Sequence, residues 1–432
     1  MVILVLSWLT WLVGAVLACV LGGWGAWWML QPSPPPVNAT HPYARPSFFY
    51  PLKVIVFYCL VKFRKRTAGS EESAGYGAKS HNKEELMECP QTLHPSPKAI
   101  NAVFFSGAAK EWGVILAMER RPNRLTSVVV YLKVPNTGLL VPASHPDTVT
   151  FRAEDEENIF SAGGLSITPL IPMKSWNLQY SGKLRLYNKP DDKERDVEID
   201  LMWTSELPHF DYDTDMDMMA MAKAFARETW SREYFQQLKD HHQTHYEQMG
   251  FLQGSVKING RPQNIRLPAF RDHSYSKMRE WRLMHRYVFH HIFLENGCKG
   301  VVGVVCQPST CSRLMLGNWY TAGGQGEAVS HVDLDLKQHG ERGTPPTDYA
   351  FMFTAGGEEF MVEVEVELSP VHYLGWDWEA RMVETWVKYK VNGVKGSGIC
   401  EWNYQHKGGR PEEMTAKDPE WATNYRLKYL AA

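Results

Sequence analysis

Phe360-Met361-Val362-Glu363-Val364-Glu365-Val366-Glu367 decides the fold class, because valine and glutamate alternate strictly from Val362 to Glu367. Side chains on a strand point to opposite faces with a period of two, so one face of such a run must meet water. Period-two stretches recur at 127–134, 183–188, 197–203, 254–259, 301–305, 349–354 and 385–391. Strands this numerous, without helices alternating between them, predict a mostly β protein with antiparallel sheets. The strong helical pattern beyond the N-terminus covers about 215–248, where Met219, Ala222, Phe225, Ala226, Trp230, Tyr234 and Leu238 recur at helical spacing. It divides the strands into two groups, and 432 residues exceed what one hydrophobic core supports.

No charged side chain occurs between Met1 and Leu30, and the first Lys or Arg is Arg45. The run is longer than the ~20 residues a bilayer-spanning helix needs, so 1–30 is expected to be a transmembrane helix, with Trp8 and Trp11, then Trp24, Trp27 and Trp28, at the interfaces. A cleaved signal peptide is the alternative, and the basic n-region it needs is missing. Residues 31–85 read as a linker: a Pro-rich stop at 31–36, an apolar stretch at 48–61 that suits either an interfacial or a core helix, a basic cluster at 62–66 and a flexible 67–85. Lys and Arg beside a membrane segment stay cytoplasmic. The expectation is a single-pass endomembrane protein with a cytosolic body and the membrane as a partner. The sequon at Asn38 would matter only on the lumenal side.

A net charge of −2 gives no electrostatic footprint for nucleic acid, which is not an expected partner. Aromatic residues make up 12% of the chain, with 16 Trp, which suits apolar cavities or membrane interfaces. Of seven cysteines, two lie in apolar stretches and the other five lack paired Cys-x-x-Cys spacings, so free thiols are expected.

Arg271-Asp272-His273-Ser274-Tyr275 sets a proton donor, an imidazole and an aromatic ring side by side among strands. Its plain alternative is a structural ion-pair knot. The acidic run Asp211, Asp213, Asp215, Asp217 suits a helix N-terminus, and Met216 and Ala222 stand where a calcium loop needs Gly and Glu. His241 and His245 have zinc-like i,i+4 spacing without the Glu of a metalloprotease helix, so no metal is expected. Gly323-Gly324-Gln325-Gly326 lacks the Lys of a phosphate loop, and no cofactor is expected.

The run His245-Tyr246-Glu247-Gln248, Gly250, Gly254-Ser255-Val256, Asn259-Gly260-Arg261 and Phe270 to Tyr275, with Arg279 and Trp281, resembles the carotenoid 1,2-hydratase and AttH-like superfamily of paired lipocalin-like barrels. Pro172 to Trp176, Tyr180 and Gly182 fit the same pattern, and the resemblance covers about 95–405. It implies two lipocalin-like antiparallel β-barrels, at 86–210 and 249–432, joined by a helical connector at 211–248. It also implies Asp272 as a catalytic proton donor, with His273 and Tyr275 beside it, and Arg271, Trp281, Trp176 and Tyr246 around a hydrophobic ligand. Tyr275 and Ser276 depart from the Trp-Gly of the family motif, and Arg271 would favour an ionised Asp272. The functions implied are binding of an isoprenoid or other apolar lipid, hydration, isomerisation or cyclisation through alkene protonation, or a non-catalytic scaffold.

Overall fold

The Val-Glu alternation is realised in a strand at Glu358–Leu368, where Val362 and Val364 are buried while Glu363 and Glu365 pair with Lys390 and Lys388 of the neighbouring strand. The computed structural model describes residues 2–29, 42–67, 75–78, 84–153 and 159–416. Eight strands form the first barrel: β1 Ile100–Ala108, β2 Gly113–Arg120, β3 Leu125–Val134, β4 Gly138–Pro142, β5 Ser175–Leu186, β6 Arg195–Thr204, β7 Thr244–Ile258 and β8 Arg261–Ser276. Eight more form the second: β9 Arg286–Leu294, β10 Lys299–Gln307, β11 Cys311–Tyr320, β12 Gly326–Val332, β13 Asp348–Ala355, β14 Glu358–Leu368, β15 Ala380–Val391 and β16 Val394–Gln405. In each, every strand pairs antiparallel with the next, and the last returns to the first, β8 to β1 and β16 to β9. Such closure removes the exposed edges of an open sheet.

The helices are α1 Val2–Met29, α2 Tyr50–Thr67, α3 Glu84–Glu88, α4 Met218–Arg227 and α5 Arg232–Asp240. Two expectations about organisation are corrected. The helical pattern ends at His241, the C-cap of α5, and 244–258 is the strand β7. Strands β7 and β8 belong to the first barrel, so 249–276 is not part of the second and α4 and α5 do not join the barrels. They interrupt the first barrel between β6 and β7, whose pairing sets Leu252 opposite Trp203. That contact spans the inserted helices, which is why local periodicity could not find it. The actual junction is the short stretch 277–285 with a 3-10 turn at Trp281–Leu283.

Side chains of α1 are described from residue 11 to 27, and Trp11, Leu12, Leu21 and Trp24 among them are exposed. Among the described residues no helix is long and apolar enough to cross a membrane. The span expected over 1–30 is therefore not found there, and the side chains of its first third, the 31–36 stop, Asn38 and most of 67–85 lie outside the described residues. The 48–61 stretch forms most of α2 and is a core helix on one face. Phe57 stacks on Phe225 of α4 at 4.9 Å, and the Lys53 ammonium donates to the Glu228 carbonyl at 2.7 Å. All seven cysteines are free thiols.

Both barrel interiors are packed, the first around Phe105, Trp176 and Trp203, the second around Trp319, Phe353 and Trp402. Eight-stranded barrels are just wide enough to be filled by side chains in this way. The barrels meet along their outer walls, where Ile115, Tyr131 and Val141 pack against Trp386 and Ile399. Strands β2 and β3 are thus buried on both faces, which explains the unbroken apolar run Val128-Val129-Val130-Tyr131-Leu132. Gly113 marks the closest approach, since a Cβ there would lie 2.1 Å from the Trp386 indole nitrogen. Gly113→Ala is expected to cost about 1–3 kcal/mol by overpacking this seam, measured as a lower denaturation midpoint.

Candidate active site between the barrels

The period of the strand splits the Arg271–Tyr275 motif between two environments. Arg271 and His273 point into the first barrel, and Tyr275 lies on their side, its ring 5.3 Å from that of His273. There the Arg271 guanidinium pairs with the Glu88 carboxylate at 2.8 Å and donates to Gln248 Oε1 at 2.8 Å. Glu88, brought in by α3, also accepts from the Tyr246 hydroxyl and the Trp176 indole, each at 2.7 Å. His273 completes the knot, with Nδ1 2.8 Å from the Tyr246 hydroxyl and Nε2 2.6 Å from Asn101 Nδ2. Burial, then Arg271, pushes His273 well below its ordinary pKa, so it is a neutral ring. Arg271, His273, Trp176 and Tyr246 are thus brought together around Glu88, a residue the motif did not reveal.

Asp272 points the other way, out of the first barrel and toward the second. It lines a cavity of about 280 Å³ between the outer walls, to which Trp281 also contributes. Glu247 of β7 shares its wall, while Glu384 of β15 and Glu401 of β16 face it from the second barrel. The remaining lining is largely apolar, including Phe104, Phe270, Phe289 and Leu316 from the barrels and Met221 and Phe225 from α4. Four carboxyls in such a place are costly to ionise, because burial disfavours charge and like charges oppose one another. Burial and then the Glu401 charge push the Asp272 carboxyl up to about 8, against the opposing pull of Arg279 and Arg271. Asp272 keeps some accessible surface where it lines the cavity. No hydrogen bond ties its carboxyl to another described residue.

Burial likewise raises Glu247, Glu384 and Glu401. The Tyr212 hydroxyl donates to Glu247, and the Tyr287 hydroxyl donates to Glu401. Glu247 Oε2 and Glu384 Oε2 are buried without a hydrogen-bond partner among the described residues. The nearby cation is Arg279, held by Gln243 at 2.8 Å and by the Ser274 hydroxyl at 3.0 Å. His245 and His291 also line the cavity, both lowered to about 3 by burial and therefore neutral.

Three of these carboxylates escaped the sequence reading. Glu384 and Glu401 left a trace, since each is an acidic residue within a strand otherwise buried on both faces, as in Met382-Val383-Glu384-Thr385-Trp386. Glu247 sat inside the quoted His245–Gln248 run without being assigned a role. The three histidines all line the cavity but do not share a helix face: His241 caps α5, His242 bonds to Asp213 at 2.9 Å, and His245 lies on β7. The acidic run behaves as a helix start, with the Asp217 carboxylate accepting from the Ala220 amide at 2.7 Å.

Two closed eight-stranded antiparallel barrels with an acid-lined apolar cavity between them define the class of the fold. The chain belongs to a family of unknown function (DUF8627), whose sequence pattern matches residues 34–404. No curated protein matches it. Among solved structures it is similar to one from Nitrosomonas europaea assigned as an AttH, at 12% identity and a TM-score of 0.44, covering 73% of this chain and 98% of that one. It is also similar to kievitone hydratase from Nectria haematococca, at 10% identity and 0.43, covering 77% and 95%, and to CghA, at 10% and 0.42, covering 80% and 97%.

Proposed function

We propose that the inter-barrel cavity is the active site of a cofactor-independent acid catalyst that protonates an alkene in an apolar ligand, with Asp272 as the donor. The observation that carries this reading is the placing of the Asp272 carboxyl in the wall of an apolar cavity, where burial raises its pKa and no hydrogen bond ties it to another described residue. An effective general acid has a pKa near the operating pH. Arg271 pulls the Asp272 pKa down but does not offset burial, and its guanidinium pairs with Glu88 on the far side of the sheet.

Transfer of the Asp272 proton to one alkene carbon leaves a carbocation on the other and a carboxylate on Asp272. The faces of Phe104, Phe270 and Phe289 suit such a cation. Water adding to it, with loss of a proton to a wall carboxylate, gives hydration. Direct loss of a neighbouring proton gives isomerisation, and attack by a second alkene of the same molecule gives cyclisation. The cavity volume lies at the small end of ligand sites, so it suits a small molecule or one end of an isoprenoid chain. Simple binding of a membrane-derived lipid is the second reading, favoured by the exposed Trp11, Leu12, Leu21 and Trp24 of α1.

Native mass spectrometry of the full chain separates the two. An apolar molecule is expected to copurify and, on incubation, to gain the mass of one water or to change chromatographic retention at constant mass. Ligand recovered unaltered after prolonged incubation overturns the catalytic reading and leaves binding.

A further inference from the structure

We propose that His372, Tyr131 and His145 form a proton relay connecting the cavity to solvent across the seam between the barrels. His372 lines the cavity from the second barrel, on the strand segment Val371–Leu374. Its Nδ1 lies 3.1 Å from the hydroxyl of Tyr131, a fully buried residue of β3 in the first barrel. The same hydroxyl lies 3.1 Å from Nε2 of His145, which follows β4 and is partly exposed. Three titratable side chains from two barrels thus make one unbroken hydrogen-bonded line. Close-packed apolar residues such as Trp386 and Ile399 otherwise fill this seam.

One set of tautomers makes the line continuous for a proton: a neutral His145 protonated on Nδ1 leaves Nε2 to accept from the Tyr131 hydroxyl. The Tyr131 oxygen then accepts from the His372 Nδ1–H, and the lone pair of His372 Nε2 remains, bonded by no described residue. Both histidines are neutral, His372 lowered to about 3 by burial and His145 to about 4 by burial and then Arg185. A cavity acid can therefore pass a proton to His372 Nε2 as the Nδ1 proton moves to Tyr131 and the Tyr131 proton moves to His145. His145 then releases a proton to water. Read backwards, the same shifts carry a proton inward. Glu384 is the cavity carboxyl whose charge acts on Tyr131, and it stands two residues from Met382, the strand partner of His372.

The purpose of the relay rests on the acid-catalysis reading. If Asp272 gives its proton at one wall and a carboxylate at the other wall collects one, each turnover leaves the two mismatched, and exchange with solvent resets them. Its existence does not rest on that reading and is tested without turnover.

The experiment follows, in the ligand-free full chain transferred to D₂O, the infrared carbonyl band of the buried protonated carboxyls. Tyr131→Phe keeps the ring and removes the one hydroxyl that links the two imidazoles. Deuteration of the band is expected to slow by at least about tenfold, equivalent to a barrier raised by about 1.4 kcal/mol, with melting temperature and amide exchange close to wild type. A folded Tyr131→Phe protein that exchanges at the wild-type rate overturns the relay. Should that variant fail to fold, His145→Gln at the exposed end carries the same test with the same two outcomes. Loss of the relay with catalysis intact, or catalysis absent with the relay intact, keeps the two proposals apart.

Discussion

Asp272→Asn lowers turnover by a factor of about 10²–10⁴, the usual contribution of a positioned general acid, while retention of the copurifying ligand is unchanged. Asparagine matches the volume of aspartate and carries no acidic proton, so the replacement removes the chemistry and keeps the shape. Under the proposed acid catalysis, wild-type activity is expected while Asp272 is protonated and is expected to fall as pH rises through about 8.

Stability provides an independent check on the same group. Its folded pKa, about 8, lies above the ordinary value of 3.8. Below 3.8 the carboxyl is protonated in both folded and unfolded chains, so its burial carries no ionisation penalty. As pH rises, the unfolded chain ionises first and the folded state loses stability until the folded group also ionises near 8. The total is on the order of several kcal/mol, at 1.36 kcal/mol per pKa unit. Asp272→Asn lacks this penalty, so its melting temperature relative to wild type should climb between pH 4 and 8. A flat difference across that range, or wild-type turnover in the variant, contradicts the assignment.

Glu88→Ala has the largest expected effect on folding. The Arg271 guanidinium is fully buried, with its centre 4.7 Å from the Trp203 ring, and Glu88 is its anionic partner at 2.8 Å. Breaking a buried pair by removing one member costs about 3–5 kcal/mol, because the remaining charge stays desolvated. The Tyr246 hydroxyl and Trp176 indole lose their acceptor as well. The melting temperature should fall by roughly 10 °C. Adding Arg271→Met should recover part of this loss, since an apolar side chain needs no counter-charge. No recovery in the double variant would show that Glu88 acts through its other contacts.

The mostly β, antiparallel class was legible from alternation, while the two barrels came from the resemblance, and Val362–Glu367 behaves as its pattern requires. The cap on α4 was legible for a comparable reason, since a helix end takes its partners from the next few residues. The end of the first barrel was not, because Leu252 against Trp203 and β8 against β1 are pairings between distant segments. Asp272 was found by resemblance, and its neighbour Arg271 led to the expectation of an ionised acid. Burial outweighs that pull, and because adjacent residues occupy opposite faces of the strand, Arg271 pairs with Glu88 inside the barrel while Asp272 and Glu401 line the cavity outside it.

By itself the sequence determined that strands dominate and that one face of the Val362–Glu367 run meets water, because these follow from the order of neighbouring side chains. Only the tertiary structure decided that the barrel interiors are filled and that the cavity lies between them. It alone brought Glu384 and Glu401, more than a hundred residues away in the chain, to face Asp272. The physical reason is that a carboxyl's protonation depends on dielectric and on charges across space, and neither is written in the residues beside it.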